Sequence, residues 1–165
     1  MTGHFRRMAR YNRWANARLY EACTRLPEHD YMRPRPAFFG SIHGTLSHVL
    51  VGDRLWLSRI ERLPPPHTRL DEQPWPDLGA LRSAREAEDA RIVALTEHWT
   101  AADLEDVVRY RTTSGVEHAD RLADVLAHFF NHQTHHRGQV HDQLSQTEIA
   151  PPSLDLIFYM REVVA

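Results

Sequence analysis

Cysteine is scarce in this chain, since Cys23 is the only one among 165 residues. No disulfide can form within the chain, and no cysteine cluster is present to bind zinc. Long apolar runs are also missing: nowhere do about 18 consecutive apolar residues occur, the length that a transmembrane helix needs. The first ten residues contain three arginines and no apolar segment, so no export signal is expected. These absences predict a soluble protein of the cytoplasm, without a membrane partner.

A positive net charge is absent as well. The 20 lysine and arginine residues face 22 acidic residues, and the formal net charge is -2. A surface without a large positive field does not attract a phosphate backbone, so nucleic acid is not an expected partner. Internal repeats are not evident either. The length of 165 residues and the 42% hydrophobic content instead suit a single globular domain over residues 1–165.

Four long segments place apolar residues at three- and four-residue steps, the pattern of amphipathic helices. Pro27 is expected to stop the first helix, while Ser41 and Asp77 are expected to cap the second and third. Charged residues such as Arg85 and Glu88 are interleaved in the third segment and predict a solvated outer face. The predicted helices cover residues 5–26, 42–63, 78–99 and 120–146.

The remaining segments predict connections and one short helix. Residues 31–39 contain two prolines and indicate an extended connection. Between Val107 and Val116, alternating residue types and the dipeptide Ser114-Gly115 predict a short hairpin or an irregular excursion. A short helix is expected to start at Ser153. Long amphipathic helices with few strand signals favour an all-α fold, an antiparallel four-helix bundle whose sites lie between facing helices.

Histidine is over-represented, with 12 residues in the chain. On the last long helix, His132 and His136 occupy the core-facing stripe together with Phe129 and Val140. Residues four apart are offset by roughly 40° around the helix axis and about 6 Å along it, so both rings can reach one point. An unpaired polar ring in a core costs about 1–3 kcal/mol. A shared metal ion would provide the missing partner.

A third ligand is needed, because a zinc-type centre commonly takes three protein ligands and leaves one position for water. His128 makes another four-residue step, but three rings spread along one helix cannot converge well on one ion. His48 lies on the second helix beside the core-facing Val49 and can point across to the last helix. The predicted metal ligands are therefore His48, His132 and His136. The alternative remains that these are core or boundary histidines satisfied by backbone and water.

Other polar residues near these positions allow two interpretations each. His43 and His135 are predicted to be surface groups or partners of the ligands. His128 either lines the pocket from one turn below or fills a polar gap in the core. Asp53 and Arg137 either orient ligands and meet substrate, or are solvated or paired at the rim, which is commoner for charges on amphipathic helices.

Two segments carry a resemblance to a known family. Residues 131–139, which read Asn-His-Gln-Thr-His-His-Arg-Gly-Gln, and residues 46–48 followed by 53–59 resemble the two signature segments of the DinB-like family. Members of this family are damage-inducible-type metal-binding bundles. Residues 11–16 and 151–155 are similar to one bacterial branch, so the resemblance covers nearly the whole chain.

The resemblance implies a three-histidine site, carried here onto His48, His132 and His136, that holds zinc, nickel or a similar divalent ion. It also implies a homodimer and thiol-dependent transferase or isomerase chemistry, in which the metal lowers the pKa of a small-molecule thiol. The expected function is therefore that of a metal-dependent enzyme acting on a small molecule, with a low-molecular-weight thiol as co-substrate. A non-catalytic metal-binding stress-response protein and a metal-dependent hydrolase are the alternatives. Peptide hydrolysis loses support because Gln133 follows His132 where a His-Glu-x-x-His motif has glutamate.

Overall fold

A computed structural model describes residues 1–164 of the chain, and Ala165, the last residue of the predicted domain, lies outside the described residues. The fold is mostly helical, with four long and two short α-helices. No helix within residues 1–164 combines the length and the apolar character that crossing a bilayer requires. The helices are α1 Thr2–Thr24, α2 Glu28–Tyr31, α3 Ile42–Ile60, α4 Leu78–His98, α5 Leu122–Ser145 and α6 Leu156–Tyr159.

The four long helices predicted from the sequence are confirmed, as are two of their N-caps. The hydroxyl oxygen of Ser41 accepts a hydrogen bond from the backbone N–H of Gly44 at 2.9 Å. The carboxylate of Asp77 accepts one from the N–H of Ala80 at 2.8 Å. Such caps satisfy N–H groups that have no partner inside the helix, so α3 and α4 begin where the sequence places them.

The two short helices differ from the prediction. The predicted extended connection starts at Tyr31, yet this residue ends the short helix α2 and is buried. The closing helix begins at Leu156 rather than at Ser153. The carbonyl oxygen of Leu154 accepts a hydrogen bond from the hydroxyl of Tyr11 on α1, at 2.7 Å. This bond holds Leu154 against α1 in the segment before α6.

A small antiparallel sheet lies between α4 and α5 and consists of β1, Val107–Arg111, and β2, Glu117–Arg121. The predicted hairpin is thereby confirmed. The fold is mostly helical rather than purely α-helical, because it contains this two-stranded sheet. Gly115 in the turn has φ +87°, a conformation that side chains rarely allow. The second strand extends to Arg121, so α5 begins at Leu122 instead of Asp120. Two strands alone are marginally stable, and Val108 of β1 is buried in the helical core.

Helix α1 packs against both α4 and α5, and so does α3. The two largest apolar clusters of the core each take residues from all four long helices. The first includes Phe5, Leu57, Ile92 and Phe129. The second includes Leu19, Leu46, Leu81 and Val140. Along α4 and α5, a mostly polar stretch separates the members of one cluster from those of the other.

Candidate metal centre

Three histidines meet where α3 and α5 pack against each other. The Nε2 atom of His48 lies 3.2 Å from Nε2 of His132 and 3.2 Å from Nε2 of His136. One ligand atom from each ring lies within 4.8 Å of the other two. The structure thus brings together the three residues that the sequence identified. Their role as metal ligands remains a prediction.

Hydrogen bonds at the opposite ring nitrogens determine the tautomers of two histidines. Nδ1 of His48 lies 2.8 Å from the carbonyl oxygen of Leu70, which can only accept, so Nδ1 carries the proton. Nδ1 of His136 donates in the same way to Oε1 of Gln139 at 2.8 Å. A neutral imidazole has one N–H, so both Nε2 atoms present lone pairs. Metal-binding histidines usually donate their other N–H to such acceptors.

The three rings are held in the neutral form. Burial lowers the pKa of His48 to about 4, and the nearby His136 adds to the effect. Burial, followed by the positive charge that His136 and His48 would carry, lowers the pKa of His132 to about 3. Burial also lowers the pKa of His136. All three lone pairs are therefore available at neutral pH, which is the state that binds metal.

The distances suit a shared divalent ion. Nitrogen ligands about 2.0–2.1 Å from a tetrahedral zinc ion lie roughly 3.3 Å from one another. The two Nε2 separations that His48 makes are 3.2 Å each. Three nitrogen donors would also leave coordination positions for water or a substrate. The residues present thus fit a metal ion of the zinc type.

Two further residues shape the site and were not identified from the sequence. A Cβ atom at Gly52 on α3 would lie 3.1 Å from Cε1 of His132, so the absent side chain gives the ring room. The ring of Phe39 stacks on that of His48 with a centroid distance of 3.8 Å and an interplanar angle of 16°. The sequence does contain one indication of this contact, which is Gly52 itself. Glycine inside a helix costs about 1 kcal/mol of stability and usually has a packing reason.

His43 stays outside the site and is not a surface group. It is buried, with Nδ1 2.8 Å from the hydroxyl of Tyr31 and Nε2 3.0 Å from the carbonyl oxygen of Trp75. The surface interpretation is therefore wrong, and His43 connects α3 to the segments on either side of it in the sequence.

Two further histidines of α5, His128 and His135, lie around the site. His135 is exposed, and its Nε2 accepts a hydrogen bond from the amide of Gln139 at 3.1 Å. Gln139 thereby connects His135 to His136. His128 is also exposed, with its ring centroid 5.8 Å from that of His132. This position excludes a role in a core gap and places His128 beside the site from one turn below.

Asp53 is part of a buried polar network behind the histidines, which corrects the prediction of a solvated or rim position. Its side chain has no exposed surface, and Oδ2 accepts hydrogen bonds from the Gln133 amide at 2.8 Å and from the Arg85 guanidinium. Burial raises the pKa of Asp53 while the charge of Arg85 opposes this rise. Arg85 and Glu88 are buried too, so the expected solvated face of α4 is wrong at these positions.

The network continues to α1. Asp89 on α4 accepts hydrogen bonds from the amides of Asn12 at 3.1 Å and Asn16 at 3.0 Å. Arg137 on α5 is buried rather than at the rim, and it donates to the amide oxygen of Asn12. The guanidinium of Arg85 lies 3.1 Å from Asp89. This ion pair joins the contacts around Asp53 to the contacts around Asn12 and Asn16. All four long helices thus contribute polar groups to one buried layer beside the histidines, which we call the polar layer.

The chain is similar to known proteins over most of its length. The model of the DinB family matches residues 1–163. Protein DinB of Bacillus subtilis (strain 168) is 26% identical over 158 residues, which cover 91% of this chain and 90% of that protein. A solved structure of a DinB-like protein from Bacillus cereus ATCC 10987 has a TM-score of 0.63 and 19% identity, covering 84% of this chain and 89% of that one. At this identity, the structural likeness concerns the fold alone.

Proposed function

Because the chain belongs to the DinB family, we propose that His48, His132 and His136 bind one divalent metal ion, and that the protein is a metal-dependent enzyme acting on a small molecule. The observation that carries the proposal is the pair of unprotonated Nε2 atoms of His48 and His136, 3.2 Å apart. Two lone pairs at this distance repel each other, whereas a cation between them attracts both. Zinc and nickel are the proposed ions, since imidazole nitrogen suits both.

Thiol-dependent transfer is the proposed reaction. A divalent ion bound by three nitrogens would lower the pKa of a thiol or water that reached its open position. In such a transfer the thiol sulfur bonds to an electrophilic carbon, the leaving group departs with the bonding electrons, and the thiol proton passes to solvent. Cys23 does not supply this thiol, because it is fully buried and burial raises its pKa to about 12. A low-molecular-weight thiol is therefore the proposed co-substrate.

The surrounding residues would position the ligands. The carbonyl of Leu70 and the side chain of Gln139 hold two rings with Nε2 turned inwards. Phe39 covers one face of the His48 ring and excludes water from it. Rings that are fixed in advance lose little freedom when an ion binds, which increases affinity.

Elemental analysis and an activity screen test this proposal with a matched pair of variants. His132→Ala removes a proposed ligand, whereas His141→Ala removes a histidine of the same helix that lies outside the cluster. We expect one equivalent of metal in the wild type and in His141→Ala, and loss of metal in His132→Ala. The metal-loaded proteins are then incubated with low-molecular-weight thiols and a panel of electrophiles. A wild-type protein that contains no metal would contradict the proposed metal site. Wild-type turnover no higher than that of His132→Ala would contradict only the proposed enzyme activity.

A metal-binding protein without catalytic activity is the second candidate. The stacking of Phe39 on His48 favours it, because a covered site admits substrate poorly. Cobalt substitution distinguishes the two, since a thiol that reaches the ion changes its visible absorption. A hydrolase has less support. Gln133, in place of a glutamate, donates its amide to Asp53 and turns away from the histidines.

The architecture and assembly implied by the family are proposed as well. We expect the four long helices to form the antiparallel bundle of a single domain over residues 1–165, and two copies to form a homodimer. Light scattering on the purified protein measures the mass in solution. A monomeric mass would contradict the homodimer without affecting the metal site.

A further inference from the structure

A cavity lies away from the histidines, between the end of α3, the segment 61–77 and β1. Its volume is about 490 Å³, and we call it the arginine cavity. Four arginines line it and no carboxylate does: Arg59, Arg62, Arg109 and Arg111. A cavity lined by several guanidinium groups and no acidic residue favours an anion.

Three of these arginines lack an acidic partner. Arg111 pairs with Glu117 at 2.6 Å, but no carboxylate oxygen within residues 1–164 lies within 4.0 Å of the side-chain nitrogens of Arg59, Arg62 or Arg109. Two further carboxylates contact lining residues, but neither contacts an arginine of the lining. Glu72 bonds to His67 and Asp120 accepts from Tyr110. Three of the four arginines therefore have no ion pair with residues 1–164.

Arg59 is held in place by aromatic rings. Its guanidinium lies 4.6 Å from the ring centroid of Trp56 and 5.0 Å from that of Tyr110. Partial burial lowers its pKa, because the cation has lost water without gaining an anion. Stacking on the ring faces leaves the N–H groups at the edge of the guanidinium free to bind a planar or tetrahedral oxyanion.

His67 supplies an independent indication of a ligand. Its side chain is only 8% exposed and lines the cavity. Nδ1 bonds to Glu72 at 2.9 Å, whereas the buried Nε2 has no hydrogen-bond partner. A buried polar atom without a partner is uncommon, so a ligand group is expected to meet it. Because Nδ1–H donates to the Glu72 carboxylate, a ring with one N–H presents a lone pair at Nε2, which a hydroxyl of a bound molecule would meet.

Arg62 occupies a backbone position that favours glycine. It follows α3 with φ +59°, and the N–H of Leu63 donates to the carbonyl of Ser58 at 2.8 Å, which closes the helix end. Glycine is the usual residue there because it has no side-chain clash at positive φ. A strained arginine instead of a relaxed glycine indicates that the side chain has a use in the cavity.

We propose that the arginine cavity binds the phosphate or carboxylate group of a small molecule. Arg59 and Arg62 would provide charge-assisted hydrogen bonds, and Nε2 of His67 would accept one from a hydroxyl of the same molecule. This site is separate from the histidines, since His48 and Arg59 lie about 16 Å apart along α3 at 1.5 Å per residue. The binding of the oxyanion therefore does not depend on the metal ion.

Isothermal titration calorimetry of the metal-loaded full chain tests the proposal, with inorganic phosphate and malonate as probes at low ionic strength. We expect saturable binding of at least one probe. Arg59→Gln should weaken it about tenfold or more, the scale of one charge-assisted hydrogen bond. Arg62→Gly should weaken binding without lowering the melting temperature, because glycine relieves the positive φ. This second variant keeps the test decisive if Arg59→Gln fails to fold.

Two controls locate the bound anion. Arg69→Gln changes an exposed arginine of the same segment that pairs with Asp71 and does not line the cavity. His132→Ala disrupts the proposed metal site. Both should bind the probes like the wild type. Absence of saturable binding, equal weakening in Arg69→Gln, or loss of binding in His132→Ala would each overturn the proposal. Binding of phosphate alone or malonate alone would support it and identify the preferred group.

Discussion

Gly52 lies directly against the ring of His132, since a Cβ atom at residue 52 would stand 3.1 Å from Cε1 of the histidine. That separation is shorter than ordinary van der Waals contact between carbon atoms, about 3.5–4.0 Å. An added methyl group would therefore push the ring by a few tenths of an ångström. The position of one proposed ligand depends on the absence of a side chain on the facing helix.

Gly52→Ala is expected to weaken metal binding without destabilising the metal-free protein. Alanine favours a helix by about 1 kcal/mol over glycine, and a free ring can turn aside, whereas a ring bound to an ion cannot. Chelator competition measures the affinity and thermal denaturation measures the stability. Gly138→Ala on α5 is the control, because nothing lies within 4 Å of its added Cβ. Equal metal affinity in both variants would contradict this role of Gly52.

Gln139→Leu is expected to lower the metal affinity by about 10- to 100-fold, the usual effect of losing the acceptor behind a ligating imidazole. The substitution leaves Nδ1–H of His136 without its acceptor and allows either ring nitrogen to carry the proton. Gln139→Glu keeps an acceptor in place and should retain tight binding. Chelator competition compares the three proteins. Similar affinities for Gln139→Leu and the wild type would show that the tautomer is determined by other groups.

Acid should destabilise the metal-free protein through His132. Its folded-state pKa, about 3, lies below the usual histidine value near 6.5, so the unfolded chain takes up the proton first. The stabilising contribution of the neutral ring is thus complete above about pH 6.5 and decreases as the pH falls towards 3. Urea denaturation of the wild type and His132→Gln at several pH values isolates this effect, because other groups titrate in both. A difference between the two that is independent of pH would contradict it.

Asp53→Ala is expected to destabilise the protein by about 3 kcal/mol, because it removes one of the two buried carboxylates that pair with Arg85 and leaves the Gln133 amide without its acceptor. The exposed pair of Arg69 and Asp71 provides the control, and Asp71→Ala should cost about 1 kcal/mol or less. Urea denaturation measures both changes in the free energy of unfolding. A small loss for Asp53→Ala would indicate that water enters the polar layer and solvates Arg85.

The histidine cluster could be predicted because two of its members interrupt an apolar stripe. His132 and His136 occupy core positions of α5, where a polar ring needs a partner. His48 could be chosen because it lies next to the core-facing row of another helix. The first residues of α3 and α4 could also be predicted, because capping by Ser41 and Asp77 depends only on neighbouring residues in the sequence.

The polar layer could not be predicted in the same way, because its pairs are distant in sequence. Asn12 and Asn16 bond to Asp89, which lies 77 and 73 residues away. Asparagine on a helix is usually solvated, and Arg85 and Asp89 have the four-residue spacing of a surface ion pair. Only the packing of α1 against α4 shows that these side chains are buried. The stacking of Phe39 on His48 is likewise a property of the folded connection.

The polar layer also restricts how the long helices can slide past one another. If α4 moved by one turn, about 5.4 Å, the guanidinium of Arg85 would leave Asp53 and face the apolar cluster above or below. Asp89 would move with Arg85 but would lose the amides of Asn12 and Asn16, so both buried charges would lose partners on other helices and alternative registers are costly. The apolar clusters alone tolerate small shifts, because one leucine replaces another with little loss. The buried charges beside the histidines therefore favour a single register of the long helices. In that register the three imidazoles meet.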